Sequence, residues 1–259
     1  MATISDAPRA LWARRVLLSG LSGLSSLFMP ALCVHCRGDR WQGTPLCLAC
    51  LRKMRSARSG TGPFPEPENA AEGGLPSRFL FRMGPEISTL VHGFKYRHQR
   101  RHIRFLCEYL RYRPDLAAWA EGFDALIPVP IHAIRKRERG YNQAGEIALE
   151  AGRHLRLCVL DGVLRRTRAT VSQTKLNRED RAMNLAQAFS LPDPEAARGK
   201  RLLLVDDVHT TGATVGRCAE LLLQAGAVSV GVLALAKVEA GSTADDFALE
   251  LEAISGYAG

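Results

Sequence analysis

Residues 202–214 read LLLVDDVHTTGAT, an apolar run followed by two aspartates and a threonine-rich loop around one glycine. The apolar run is typical of a strand that is buried on both faces of a parallel sheet. Burying two carboxylates would cost a large free energy, so we expect Asp206 and Asp207 where the strand emerges, facing solvent, a metal or a hydroxylated ligand. Ligands of open α/β sheets bind outside the carboxyl ends of the strands, so this run predicts a binding site.

The loop that follows His209 is suited to holding a phosphate group. A glycine permits a tight or positive-φ turn, threonine hydroxyls add donors, and the first-turn N–H groups of a following helix favour an anion. The residues of this predicted phosphate loop are Thr210, Thr211, Gly212, Ala213 and Thr214. The chain contains neither a P-loop nor a strand-linked G-x-G-x-x-G motif, which excludes the common alternatives for nucleotide binding.

Short apolar runs alternate with amphipathic stretches in the second half of the chain. Strands are predicted over residues 125–129, 202–205 and 229–236, and helices over residues 143–155 and 213–225. This alternation predicts an α/β fold, a mainly parallel sheet flanked by helices and joined by right-handed crossovers.

Four of the seven cysteines form two CxxC pairs, C-x2-C-x10-C-x2-C, which can present four thiolates to one ion. The spacing favours a closed structural zinc site, although iron or an iron–sulfur cluster also uses four thiolates. The predicted ligands are Cys33, Cys36, Cys47 and Cys50. Clustered cysteines also favour a reducing compartment, and we predict a cytoplasmic location.

Composition shifts divide the chain into four segments. Residues 1–54 hold a predicted N-terminal helix and the four-cysteine module, and residues 55–78, rich in Pro, Gly and Ser, are predicted to be a flexible linker. The helical pattern of residues 14–32 has a basic start that also suits an export signal, but serines and glycines dilute its centre. A further domain is predicted over residues 79–238, and an acidic tail over residues 239–259.

Helical spacing between residues 86 and 110 predicts two helices, divided by Gly93 and by the basic cluster at residues 95–102. The formal net charge is +9, and because residues 239–259 hold five acids and no base, the preceding residues carry +14. A basic body suits polyanions, whether nucleic acid or a phosphorylated small molecule. No run of 18 apolar residues occurs, which predicts that the chain has no stable membrane span.

Residues 202–214 resemble the PRPP-binding signature of type I phosphoribosyltransferases. The resemblance implies that Asp206 and Asp207 hydrogen-bond the ribose 2′- and 3′-hydroxyls, which also coordinate magnesium, while the loop from Thr210 to Thr214 holds the 5-phosphate. Displacing pyrophosphate from the ribose needs a divalent cation and positioned basic side chains more than a strong nucleophile. No Ser/His/Asp or Cys/His constellation is evident in the sequence.

Further motifs resemble the ComF family, competence-associated proteins that join a zinc-finger-like module to a phosphoribosyltransferase domain. These motifs are residues 27–36 (LFMPALCVHC), Phe94-Lys95-Tyr96, IPVP at residues 127–130, the basic stretch at residues 131–143, and residues 165–189. The resemblance covers residues 27–238 apart from the linker, and it implies that the domain over residues 79–238 is phosphoribosyltransferase-like. One departure is His209, where the family often has a tyrosine or another bulky residue.

The resemblance also implies two basic loops around the site. Residues 135–142 correspond to the pyrophosphate loop, with Lys136, Arg137 and Arg139 as anion ligands and the two arginines as catalytic candidates. Residues 167–184 correspond to a mobile loop over the site. In that loop the residues matching family positions are Gln173, Arg178, Arg181 and Asn184.

Two functions are therefore expected. The first is a magnesium-dependent phosphoribosyltransferase that binds PRPP or another phosphorylated ribose and whose acceptor the sequence does not specify. The alternative is a single-stranded DNA-binding accessory of DNA uptake, with a vestigial or regulatory sugar-phosphate site and a DNA-uptake helicase as partner. The basic body, the four-cysteine module and the aromatic residues among the cations of residues 95–102 favour the alternative.

Overall fold

A computed structural model describes residues 32–41, 43–54, 74–167 and 188–238. Its centre is a five-stranded parallel sheet in the order β1-β7-β6-β2-β3, with a separate antiparallel pair, β4-β5. The strands are β1 (Ser77–Arg82), β2 (Ala125–Pro128), β3 (Cys158–Val159), β4 (Arg165–Arg166), β5 (Phe189–Ser190), β6 (Arg201–His209) and β7 (Ser229–Lys237). The predicted parallel α/β fold is confirmed.

Helices cover the sheet. They are α1 (Leu48–Lys53), α2 (Pro85–Tyr96), α3 (Arg101–Cys107), α4 (Pro114–Ala120), α5 (Ala133–Arg139), α6 (Gln143–Leu155) and α7 (Ala213–Gln224), with short 3-10 turns at Glu108–Tyr112 and Pro194–Ala196. Helix α6 buries Ile147, Ala148 and Ala151 on one face, as its 3.6-residue pattern predicts, and α7 buries Val215, Cys218 and Leu222. None of the helices in the described ranges is long and apolar enough to cross a membrane.

Strand β6 extends further than the apolar run predicts. It pairs with β2 only as far as Pro128 opposite Val205, but it pairs with β7 as far as His209 opposite Lys237. The prediction that the strand ends before Asp206 is therefore wrong, because hydrogen bonding to β7 continues after the apolar residues stop. Beyond Val205, β6 pairs with β7 alone among the described residues, and Asp206 and Asp207 occupy this part of the strand.

Gly93 does not divide the two predicted helices, since it lies inside α2 and the break comes at residues 97–100. This glycine permits close packing instead. A Cβ at position 93 would lie 2.4 Å from Nδ1 of His102, a buried side chain on α3 that bonds the Leu90 carbonyl. The glycine thus lets α3 return tightly against α2.

The four-cysteine module packs directly on the sheet domain. Cys33, Leu46 and Cys50 belong to the same buried cluster as Phe81 and Ile87. Sharing one core gives the module, too short for a core of its own, a fixed position beside α2. Residues 1–31, 55–73 and 239–259 fall outside the described ranges, and the strand that begins at Ser77 takes up the last two residues of the predicted linker.

Candidate functional site

Asp206 and Asp207 lie on β6 just beyond its pairing with β2, and both are partly buried. The backbone N–H of Asp207 donates to Oδ1 of Asp206 at 2.8 Å. Nζ of Lys95, from the last turn of α2, lies 3.0 Å from Oδ2 of Asp207. The site therefore joins a carboxylate pair with a resident cation from another element.

Desolvation and, after it, the neighbouring charge of Asp207 raise the pKa of Asp206, which reaches about 7. The N–H of Asp207 and the charges of Lys95 and Arg166 lower it, but they do not offset the first two effects. Near neutral pH the ligand-free pair therefore holds a proton for part of the time. A ligand that needs two acceptor carboxylates must displace that proton.

The predicted phosphate loop forms a tight turn at the start of α7. Gly212 has φ 73°, a left-handed conformation that favours glycine, and it occupies the N-cap position without a side-chain cap. A Cβ there would lie 3.2 Å from the ring of His209, so the ring and the glycine fix each other's position. Thr210 and Thr211 are exposed, and the first-turn N–H groups of this 12-residue helix make the turn suited to an anion.

The basic stretch predicted as a loop is the short helix α5. Its residues Arg135 and Arg139 line an open cleft of about 340 Å³ together with Lys95, Tyr96, His98 and Glu138. The guanidinium of Arg139 stacks 5.2 Å from the centre of the Tyr96 ring. Lys136 and Arg137 are exposed and do not line this cleft, so the structure brings only one of the three predicted anion ligands to it.

The end of α2 is held against the α5–α6 corner. The hydroxyl of Tyr141 donates a hydrogen bond to the Phe94 carbonyl, and the guanidinium of Arg100 stacks 4.2 Å from the Tyr141 ring. Nδ1 of His98 donates to the Arg139 carbonyl at 3.1 Å. These contacts set the position from which Lys95 reaches Asp207.

Two site residues were missed from the sequence. In the sequence, Lys95 stands out only as part of a family motif and of a basic cluster. Its position between two aromatic residues is the one local feature that could have marked it as a site residue. Arg166, on β4, is close enough for its charge to act on Asp206. The predicted ligands Gln173 and Arg178, like Arg181 and Asn184, lie outside the described residues.

The four predicted metal ligands converge. The Sγ atoms of Cys33, Cys36, Cys47 and Cys50 all lie within 4.8 Å of one another, and Cys36 and Cys47 are 3.5 Å apart. Tetrahedral zinc with bonds of about 2.3 Å needs sulfurs about 3.8 Å apart, so the set fits that ion. The pKa of the Cys47 thiol is lowered to about 7, chiefly because its sulfur accepts a hydrogen bond from the Cys50 N–H, and this favours the thiolate that a metal needs.

His35 connects this module to α2. The Thr89 hydroxyl donates to the Pro85 carbonyl, so its oxygen accepts from Nδ1 of His35 at 2.8 Å. Nε2 of His35 lies 4.0 Å from Oε1 of Glu86. The same helix therefore meets the cysteine module near its first residue and the aspartate pair near its last.

Comparisons with known proteins agree with this architecture. Residues 137–253 match the family described as Phosphoribosyl transferase domain, a match that runs past Val238. Competence protein F of Haemophilus influenzae is 37% identical over 115 residues, 44% of this chain and 50% of that protein. DNA utilization protein YhgH of Salmonella typhi is 34% identical over 157 residues, 59% of this chain and 68% of that protein. Competence protein ComFC of Bacillus subtilis is 32% identical over 103 residues, 39% of each.

The parallel sheet, the aspartate pair and the glycine loop define a protein with a phosphoribosyltransferase domain. More particularly, the chain belongs to the ComF family. The match to Competence protein F spans half of that relative's length.

The pKa of Asp206 predicts a pH-dependent effect on stability. Native Asp206 keeps its proton up to about pH 7, whereas an unfolded aspartate loses it near pH 3.9, so the native state binds more protons between these values and its stability falls as pH rises through them. We expect Asp206→Asn to raise the Tm more at pH 8 than at pH 5, by at least about 2 °C, which corresponds to roughly 1 kcal/mol. Thermal melts of this variant and of Asp161→Asn, an exposed control, would test it, and an equal change at both pH values would contradict it.

The cysteine geometry predicts one zinc ion per chain. Cys36→Ser should lose that zinc and lower the Tm, because the module shares its core with the sheet domain. Cys158→Ser, which changes an exposed cysteine outside the cluster, should leave the zinc content and the Tm unchanged. Elemental analysis of the purified proteins measures the metal, and iron in place of zinc, or full zinc content in Cys36→Ser, would contradict the prediction.

Proposed function

We propose that this protein binds PRPP with magnesium and transfers its phosphoribosyl group to an acceptor. The observation that supports this most directly is the aspartate pair on β6 beyond its pairing with β2, followed a few residues later by the Gly212 loop. In the proposal, the carboxylates hold the sugar diol and the loop holds its 5-phosphate.

Each element has a chemical task in this proposal. Asp206 and Asp207 accept hydrogen bonds from the 2′- and 3′-hydroxyls, while N–H and hydroxyl groups of the loop from Thr210 to Thr214 donate to the 5-phosphate. Lys136, Arg137 and Arg139 are the proposed anion ligands from the sequence, to which the cleft adds Arg135. Gln173 and Arg178 are proposed to close over the ligand.

Magnesium held by the bound diol would neutralise part of the diphosphate charge and so favour its departure. The protein's own part is to orient the sugar and to stabilise the negative charge that grows on the leaving group. Asp206 must be deprotonated to accept a hydrogen bond from the diol with both of its oxygens. Part of the binding free energy is therefore spent on removing its proton.

Titration calorimetry of PRPP with magnesium tests this function without knowledge of the acceptor. The wild type should bind, and the combined Asp206→Asn, Asp207→Asn variant should bind at least roughly tenfold more weakly, because two hydrogen bonds to charged acceptors are lost. The control carries Asp161→Asn and Glu195→Gln, two exposed acids in turns, and should bind as the wild type does. Folded wild-type protein that binds no PRPP would refute the proposal.

A second candidate function is binding of single-stranded DNA, in a role in DNA uptake. The observation that favours it is Tyr96, whose side chain is 56% exposed on the cleft beside Arg139 and His98. An exposed ring among cations can stack a base while the cations bind phosphates. Relatives are named for competence and DNA utilization, and a helicase partner and a cytoplasmic location remain predictions.

Fluorescence anisotropy with a labelled oligothymidine at several salt concentrations tests the second candidate. Affinity should fall steeply with salt, and Tyr96→Ala should weaken binding by about fivefold or more while Tyr96→Phe retains it, because stacking contributes about 1–3 kcal/mol per base. The double aspartate variant should still bind DNA. If that variant abolished binding, or if no binding appeared at low salt, the candidate function would be wrong.

A further inference from the structure

The ion pair of Lys95 and Asp207 is the least exposed of those that join separate elements at this site. Their side chains are 16% and 14% exposed, and the charged atoms are 3.0 Å apart. A pair with this little exposure is weakly screened by salt, and removing one partner leaves the other without compensation. Asp207 is thus neutralised by the chain itself before any ligand arrives.

The cleft next to this pair is positively charged. Among the described residues that line it, Lys95, Arg135 and Arg139 are cations and Glu138 is the one acid. The cations come from two elements, the end of α2 and the helix α5, and the Arg139 guanidinium is held over the Tyr96 ring. An anion placed in this cleft would meet charges from both walls.

We propose that Lys95 is an exchangeable counter-ion: it holds Asp207 in the ligand-free protein and passes to the diphosphate of the ligand, whose subsite it forms with Arg135 and Arg139. This inference rests on the proposed function and assigns a ligand contact to an element outside the predicted pyrophosphate loop.

The exchange follows from charge balance. A ribose diol is neutral and takes the carboxylate oxygens by hydrogen bonding, so it displaces Lys95 without replacing its charge. The diphosphate supplies a new anionic partner for the displaced Lys95 amine. It would lie in the cleft that Lys95 already lines. A divalent cation on its own competes with Lys95 for the same carboxylates, and it brings no anion to receive the amine.

Lys95→Gln separates these two effects. Without PRPP, loss of the internal cation should let the aspartate pair bind Mn²⁺ roughly tenfold more tightly or better than in the wild type. With magnesium, the same variant should bind PRPP roughly tenfold more weakly, because a charge-assisted contact to the diphosphate is lost. A side chain that only supports the fold would move both affinities in the same direction.

The experiment uses zinc-loaded, full-length protein, with Mn²⁺ binding followed by electron paramagnetic resonance and PRPP binding by calorimetry. Arg104→Gln, an exposed cation on α3, is the control for net charge and should change neither affinity. Lys95→Arg should restore much of the PRPP affinity. Combining Lys95→Gln with Asp206→Asn and Asp207→Asn should abolish the gained Mn²⁺ binding, which locates that site.

Arg135→Gln tests the diphosphate subsite without removing the ion pair of Lys95 and Asp207. It therefore replaces Lys95→Gln if that variant does not fold. It should weaken PRPP binding and leave Mn²⁺ binding as in the wild type. Unchanged PRPP affinity in both Lys95→Gln and Arg135→Gln would overturn the subsite, and unchanged Mn²⁺ affinity in Lys95→Gln would overturn the exchange. If the wild type bound no PRPP, the proposed function would fail, and the counter-ion role would still be decided by the Mn²⁺ titration.

Discussion

The unequal lengths of the strands beside β6 are the constraint on which the site depends. Because β2 stops at Pro128 while β7 continues to Lys237, β6 passes from two strand neighbours to one at the point where its aspartates begin. The continuing ladder holds the backbone of Asp206 and Asp207 in extended geometry, and among the described residues no second strand pairs with this part of β6. A site built this way is rigid without being enclosed.

Helix α2 links the two chemically distinctive parts of the chain. Near its start, Glu86 and Thr89 meet His35 of the cysteine module, and at its end Lys95 meets Asp207. The Tyr141 hydrogen bond to the Phe94 carbonyl and the glycine-mediated packing of His102 hold this helix in place. The cysteine module therefore packs into the same core that positions Lys95.

The pKa of Asp206 is set by neighbouring charges of both signs. Two adjacent carboxylates in a partly desolvated position raise the pKa of Asp206, and the nearby cations only partly compensate. Such an arrangement is unfavourable for the isolated chain and favourable for a ligand that supplies hydroxyl donors and phosphates together.

The sequence by itself determined the α/β fold, the carboxylate pair with its glycine loop and the four-cysteine set, because each is encoded in a short local pattern of polarity and spacing. Helix α6 and the start of α7 fell at the predicted residues for the same reason. Only the tertiary structure decided which cations face the site. Charged residues in a basic stretch carry no signal of direction, so the α5 geometry alone separated Arg135 and Arg139 from Lys136 and Arg137. The contact between Lys95 and Asp207 joins residues 112 positions apart, and it arises from how α2 packs against the α5–α6 corner, which no local pattern records.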